Sequence, residues 1–282
     1  MSLWTNLKWL PNPASIHDYP ALTVGLLLFT FILLIVDVAL ENALSHKFSL
    51  YPEALGELDL NRVSFYPLFH SGLFHWFLNV LTLFQPLAIF EKTHGTVYTG
   101  ITLNLLAVLT ALQYCIAGYW LYPGTHAIGL SALVFLFLAW LAYKEHFVRP
   151  NIVLYRQEGS EIKLPTLFAP VAYLFISMIL LPGSSFWGHL AGLFAGYFMA
   201  LDYMKVLYPP AKVILWIEKK VDPLIQCLQG VVVYYKEEDA THVRSAGYTP
   251  ISTVDVESSV SVVAEASASA SEFHGEGHVL GA

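Results

Sequence analysis

Residues 21–40, ALTVGLLLFTFILLIVDVAL, run for twenty positions with a single charged side chain, Asp37. A helix rises ~1.5 Å per residue, so about twenty apolar residues cover the ~30 Å hydrocarbon core of a bilayer. Working outward, five more apolar stretches follow, at 74–90, 97–117, 126–143, 165–181 and 185–204. The whole chain of 282 residues is 56% hydrophobic and 12% charged, against about 25% charged in soluble domains. Such a composition excludes a soluble enzyme and a disordered chain. It predicts an all-α polytopic membrane protein, a bundle of six transmembrane helices spanning residues 21–204.

The flanking segments separate by composition. Residues 1–20 hold no apolar run and no cleavable leader, so the first span is expected to act as signal anchor. The first arginine is Arg62, which argues against an arginine-rich mitochondrial presequence. Of fourteen Lys and Arg, only Lys47 and Arg62 fall in the loops after spans one, three and five. The positive-inside rule then places both termini in the cytosol, and spans two, four and six begin at the lumenal or extracellular face. Residues 205–235 mix Ile, Leu and Trp with lysines. Glu218, Lys219, Lys220 and Asp222 sit in the middle, and Pro223 is expected to interrupt any helix. This predicts a cytosolic amphipathic segment at the bilayer surface and not a seventh span. Residues 236–282 carry eight acidic and two basic residues, which is nearly all of the net charge of −7. Rich in Ser, Ala and acidic residues, they read as a disordered tail.

Two cysteines, Cys115 and Cys227, exclude a disulfide framework, and no Cys/His cluster has zinc spacing. No metal or cofactor is expected. No basic patch with interleaved aromatics is present, so nucleic acid is not an expected partner.

Polar groups inside membrane spans are costly, which makes their positions informative. Span two opens with HSGLFHWFLN (70–79), where His75 and Asn79, four apart, share a helix face. Span four contains HAIGLSALVFLF (126–137), with Ser131 expected about one and a half turns in. Span six contains SFWGHLAGLFAG (185–196), with His189 at a similar depth. All three spans start from one membrane face, so these four residues form one layer. A serine hydroxyl becomes a nucleophile when an adjacent base takes its proton, and His189 can be that base. Attack on a carbonyl develops an oxyanion, for which His75, Asn79 and the Ser131 N–H are candidate donors. No carboxylate is placed to orient His189, so the pattern is a dyad and not a triad. Gly129 precedes the serine by two, and Gly192 with Gly196 forms a GxxxG face that permits close helix approach. Taken singly, a membrane serine, histidine or GxxxG is commonly a packing feature; their conjunction at one depth carries the reading.

These residues resemble the rhomboid family of intramembrane serine proteases. His70, His75 and Asn79 match its histidine–histidine–asparagine spacing, Gly129 and Ser131 its glycine–any–serine pattern, and His189, Gly192 and Gly196 its sixth-helix pattern. Glu91 and Gly95 match a glutamate and glycine ending its second span. RVSFYPLFH, FEKTHGTVYTG and PGSSFWGH are similar to the fungal members of the Golgi and endoplasmic reticulum. Ala132 stands where the family commonly has glycine, and Phe135 where it usually has tyrosine. The resemblance implies a six-helix rhomboid-like fold, Ser131 as nucleophile, His189 as general base, and His75 and Asn79 as oxyanion donors. It implies transmembrane proteins as substrates, cleaved within the lipid bilayer of the Golgi or endoplasmic reticulum. In the loop LPGSSFW (181–187), Phe186 and Trp187 are candidates for a covering lid or for plain interfacial aromatics.

The C-terminus, EFHGEGHVLGA, sets Phe273, Gly275, Gly277 and Leu280 in the pattern FxGxGxxL. This matches the SHP box, a short motif that docks to a valosin-containing-protein-type AAA ATPase, a segregase. Two apolar anchors with glycines between them suit close backbone docking. An alternative is a non-catalytic adaptor of the derlin type, which shares the fold and often the tail motif but lacks the catalytic pair; the presence of both Ser131 and His189 argues against it.

Overall fold

A computed structural model describes residues 19–157, 160–228 and 230–246. Helix α1 (Ala21–Ala39) is followed by a loop that folds into short α2 (Ala43–Phe48) and α3 (Leu60–Phe65). Then come α4 (Leu73–His94), α5 (Thr96–Leu121), α6 (Ser131–Glu145), an antiparallel hairpin of β1 (Asn151–Gln157) and β2 (Ser160–Pro165), α7 (Ala169–Leu180) and α8 (Phe186–Ala200). Two more helices close the described chain, α9 (Ala211–Leu228) and α10 (Glu237–Ala246). The chain is therefore a mostly helical membrane protein, with one hairpin that the apolar pattern does not announce. Helices α1, α4 and α5 are each long and apolar enough to cross a bilayer. Helices α6, α7 and α8 are shorter, at 15, 12 and 15 residues.

The fourth apolar stretch departs from expectation in a way that matters for the site. Residues 126–130 are not helical, and Ser131 is the first residue of α6, not one and a half turns inside it. Long-range bonds pull this segment out of the helix. Leu50 and Ala127 exchange backbone hydrogen bonds of 2.9 and 2.8 Å, and the Gly129 N–H donates to the Tyr66 carbonyl at 3.0 Å. The α1–α4 loop thus docks on the segment that enters α6.

That loop is internally tied. Asp37, at the end of α1 and 1% exposed, accepts from the backbone N–H of Leu44 at 2.8 Å and of Ser45 at 3.1 Å, and so caps α2. The Arg62 guanidinium donates to the Ser49 carbonyl at 2.7 Å and the His46 carbonyl at 3.1 Å. Leu50, Ala54, Val63 and Tyr66 pack against Ala111, Tyr114 and Cys115 of α5.

At the opposite end of the bundle the buried Glu91 carboxylate joins three helices. It accepts from the N–H groups of Leu22 (2.9 Å) and Thr23 (2.7 Å) and from the hydroxyls of Thr23 and Thr96 (both 2.8 Å). The first N–H groups of a helix have no intrahelical acceptor, so Glu91 caps α1 from a distance. The chain after α9 returns to this corner. Val233 bonds Tyr19 and Ala21 through its backbone, both at 2.9 Å, and the Thr96 N–H donates to the Tyr235 carbonyl at 2.8 Å.

Two readings of the C-terminal region change. Helix α9 continues through Pro223 and is not interrupted by it. Residues 237–246, assigned by composition to the disordered tail, form α10. Its start is held by the Glu237 N–H donating to Glu218 at 2.9 Å, and Ala240 is buried. Burial pushes the Glu218 carboxyl above the usual range. Residues 247–282, including Phe273, Gly275, Gly277 and Leu280, lie outside the described residues.

Candidate active site

The site is built around the start of α6. Gly129 has φ +103°, a conformation that side-chain-bearing residues rarely adopt, and a Cβ there would meet His75 Cε1 at 2.8 Å. The missing side chain lets the His75 imidazole lie against the backbone two residues before Ser131. The next residue, Leu130, donates its N–H to His70 Nε2 at 3.3 Å. Tyr66 and His70 thus hold consecutive N–H groups of the turn into α6. Tyr66 is fixed in turn by its hydroxyl, 2.7 Å from Thr110 Oγ1 on α5. Ser131 follows directly as the first residue of α6, where helix N–H groups have no intrahelical acceptor.

Helix α8 supplies the other wall. A Cβ on Gly192 would stand 2.1 Å from the Ala132 carbonyl oxygen, and one on Gly196 2.2 Å from that of Leu136. Two glycines one turn apart therefore seat α8 on two backbone carbonyls of α6, themselves one turn apart. His189, three residues before Gly192, is carried against α6 at Phe135. Its ring is 1% exposed, and its centroid lies 4.5 Å from that of Phe135 at an interplanar angle of 30°. Phe135 is itself buried, with Leu174 and Leu193 behind it. Ser185 caps α8, accepting the Gly188 N–H at 3.1 Å. Of the aromatic pair that precedes His189, Trp187 stacks on Tyr122 at 4.9 Å, and Phe186 packs beside Phe135 and Leu193.

Several polar atoms in this region are buried without a hydrogen-bond partner: both ring nitrogens of His189, His75 Nε2 and Asn79 Nδ2. His75 Nδ1 lies 3.0 Å from Ser71 Oγ. Buried polar atoms are ordinarily paired, so unpaired ones on α4 and α8 mark these residues as candidates for binding a further group. Ser131 begins α6 and His189 lies on α8 against Phe135, one turn further along α6, without a hydrogen bond between Ser131 and His189. Ser131 lines a cavity of about 20 Å³ with Gly129, Tyr66, Thr110, Ser185 and Gly188, room for about one water molecule.

Sequence reasoning passed over three of these parts. Tyr66 acts through its carbonyl and Thr110 through a distant hydroxyl, so neither leaves a spacing signal. His70 was visible by spacing, but its bond to the Leu130 N–H was not.

Comparison with known proteins comes to the same region. A family model described as the rhomboid domain matches residues 57–205. The rhomboid-type serine protease 2 of Debaryomyces hansenii is 55% identical over 97% of this chain and 96% of its own length. That of Candida albicans is 45% identical over 93% and 92%. That of Saccharomyces cerevisiae is 38% identical over 85% and 89%. The family match begins within the α1–α4 loop, whereas these relatives align over most of the chain.

Proposed function

The chain belongs to the rhomboid family of intramembrane serine proteases, and on that premise we propose that it cleaves single-span membrane proteins through a dyad of Ser131 and His189. Neutral His189 takes the proton of Ser131 Oγ as the oxygen attacks the scissile carbonyl. The oxyanion is received by the Ser131 N–H, His75 Nε2 and the Asn79 amide, three donors in water-poor surroundings where such bonds are strongest. If the Ser71 hydroxyl donates to Nδ1 of His75, the ring proton sits on Nε2, the atom that must donate. Collapse of the tetrahedral adduct breaks the C–N bond as His189 returns the proton to the leaving amine. Water then attacks the acyl–serine ester, with His189 again the base, and Ser131 is released. Among the described residues no carboxylate bonds His189; the Phe135 ring, tilted by 30° against the imidazole, orients it instead.

The observation that supports this reading is the seating of Gly192 and Gly196 on the Ala132 and Leu136 carbonyls, which packs α8, the helix that carries His189, against α6, the helix that Ser131 begins. Catalytic hydrogen bonds commonly tighten only when substrate binds, so the dyad does not require a Ser131–His189 bond beforehand. The substrate helix unwinds to expose a peptide bond otherwise shielded by its own hydrogen bonds.

The wider reading has six spans, with α6, α7 and α8 as short crossings in a locally thinned bilayer. Both termini are cytosolic, and cleavage occurs near the lumenal end of the substrate helix, in the Golgi or endoplasmic reticulum. The tail at Phe273, Gly275, Gly277 and Leu280 recruits an AAA segregase, so that cleavage is coupled to extraction. No cofactor takes part. Solubilised protein treated with a fluorophosphonate serine probe tests the chemistry. Labelling lost in Ser131→Ala at unchanged protein level is the expected result. Equal labelling of wild type and variant overturns the assignment, and absence of labelling in both favours an adaptor.

A further inference from the structure

The hairpin between α6 and α7 has two unlike faces. In an antiparallel pair, directly opposed residues share a face. Ile152 pairs with Leu164 and Val153 with Lys163, after which the register shifts and Tyr155 pairs with Ile162. Strict alternation would put Tyr155 on the face opposite Ile152. The extra residue at the shift, Leu154, is a bulge that returns Tyr155 to the Ile152 side. One face therefore collects Ile152, Leu164, Tyr155 and Ile162. The other carries Val153, 41% exposed, opposite Lys163, and Lys163 forms an ion pair of 2.8 Å with Glu161. On the apolar face, Ile152, Tyr155 and Ile162 are 41%, 52% and 56% exposed among the described residues.

The hairpin is rooted firmly where the bundle ends. The Thr166 N–H donates to the Pro150 carbonyl at 2.9 Å, and the Thr166 hydroxyl bonds the Arg149 carbonyl, closing the neck. On either side of the neck, Phe147 and Phe168 are 67% and 57% exposed. The exposed apolar surface thus continues from the membrane-facing helices across the neck and onto one face of the hairpin.

We propose that this hairpin is an interfacial membrane anchor: its Ile152–Leu164–Tyr155–Ile162 face lies in the headgroup region of the bilayer at the Glu145 end of α6, with the Glu161–Lys163 face toward water. The bilayer itself is the occupant, because the neck emerges at the bundle end and its exposed rings continue the surface already in lipid. The chemistry suits an interface: four large side chains, one of them tyrosine, on the buried side, and an ion pair beside a single valine on the other. The consequence is positional. Helix α6 has 15 residues, ~22 Å at 1.5 Å per residue, short of the ~30 Å hydrocarbon. An anchor at its far end holds α6, and with it Ser131, at a fixed depth.

The test uses the full chain with both native cysteines, Cys115 and Cys227, replaced by serine, reconstituted in phosphatidylcholine vesicles. A single cysteine at Ile162 or Glu161 is labelled with an environment-sensitive fluorophore, and quenching by lipid brominated high on the acyl chain is measured. The proposal expects strong quenching and a blue-shifted emission at position 162, with little of either at 161, unchanged when the protein-to-lipid ratio is lowered. Equal, water-like emission at both positions overturns it. So does protection at 162 that disappears on dilution in lipid, which would mark a contact between copies of the chain. As a second measurement, Ile152→Ser with Tyr155→Ser in the labelled Ile162→Cys protein should abolish most of the quenching while probe labelling of Ser131 persists; undiminished quenching overturns the anchor. Because the primary readout is depth, failure of the protease reading leaves the anchor standing, and failure of the anchor leaves the protease reading standing.

Discussion

The carbonyl oxygen of Ala132 occupies the place where a side chain on Gly192 would begin, 2.1 Å from an ideal Cβ. Nothing larger than hydrogen fits between α6 and α8 there, and the contact is backbone, which cannot rotate away. Gly192→Ala should therefore force the helices apart and move His189 away from α6. Overpacking of this kind costs about 1–3 kcal/mol. Thermal unfolding in detergent should show that loss together with a collapse of reporter cleavage. Gly25→Ala on α1 is the control, since nothing lies within 4 Å of its Cβ position. It should leave both measurements unchanged or slightly improved.

His70 holds the Leu130 N–H and is 1% exposed. In His70→Ala the N–H is left buried without an acceptor, a cost of about 1–3 kcal/mol. The turn before Ser131 should loosen, with kcat falling more than KM rises. His70→Gln keeps a side-chain oxygen that can accept and should recover part of the rate. If alanine and glutamine variants behave identically, the hydrogen bond is not what His70 contributes.

How much of this was legible in the sequence depends on the range of the interaction. The apolar stretches could be read because lipid penalises every exception, and the same penalty singled out Ser131, His189, His75 and Asn79 as candidates. The start of α6 could not. Residues 126–130 are apolar enough to read as helix, and only bonds to Leu50, Tyr66 and His70, some 60 to 77 positions away, unwind them. The hairpin escaped because a bulge at Leu154 breaks the alternation by which a strand is recognised. Helix α10 escaped because its composition is that of a solvated tail, while its order comes from Glu218 on another helix.

Phe135 and His189 make a second test of positioning. The ring contact at 4.5 Å is the only orienting partner of His189 found among the described residues. Phe135→Leu keeps most of the volume, so its stability cost should stay below about 1.5 kcal/mol. Cleavage should nevertheless fall, because the imidazole gains freedom at the moment it must accept a proton. Phe135→Tyr keeps the ring and should remain active. Measuring unfolding and cleavage on the same preparations separates the two effects; a proportional loss in both would reduce Phe135 to a packing residue.

Glu91 offers the sharpest stability test, because one carboxylate serves four donors from α1 and α5. A carboxylate is acceptor-only, whereas an amide places two N–H donors where one oxygen stood. In Glu91→Gln the amide nitrogen must face either the Leu22 side or the Thr23 side, and both present donors. At least one N–H of α1 then stays buried and unpaired, at about 1–3 kcal/mol. Thr96 is also a bridge to the returning chain, through its N–H to Tyr235 and the Tyr235 N–H to its hydroxyl at 3.0 Å. Loss of the Glu91 contact should therefore loosen residues 230–246 as well as the start of α1. Hydrogen exchange should rise at both places in Glu91→Gln while staying flat around Ser131, at the other end of the bundle. Exchange that rose uniformly would mean global destabilisation instead of a local clasp.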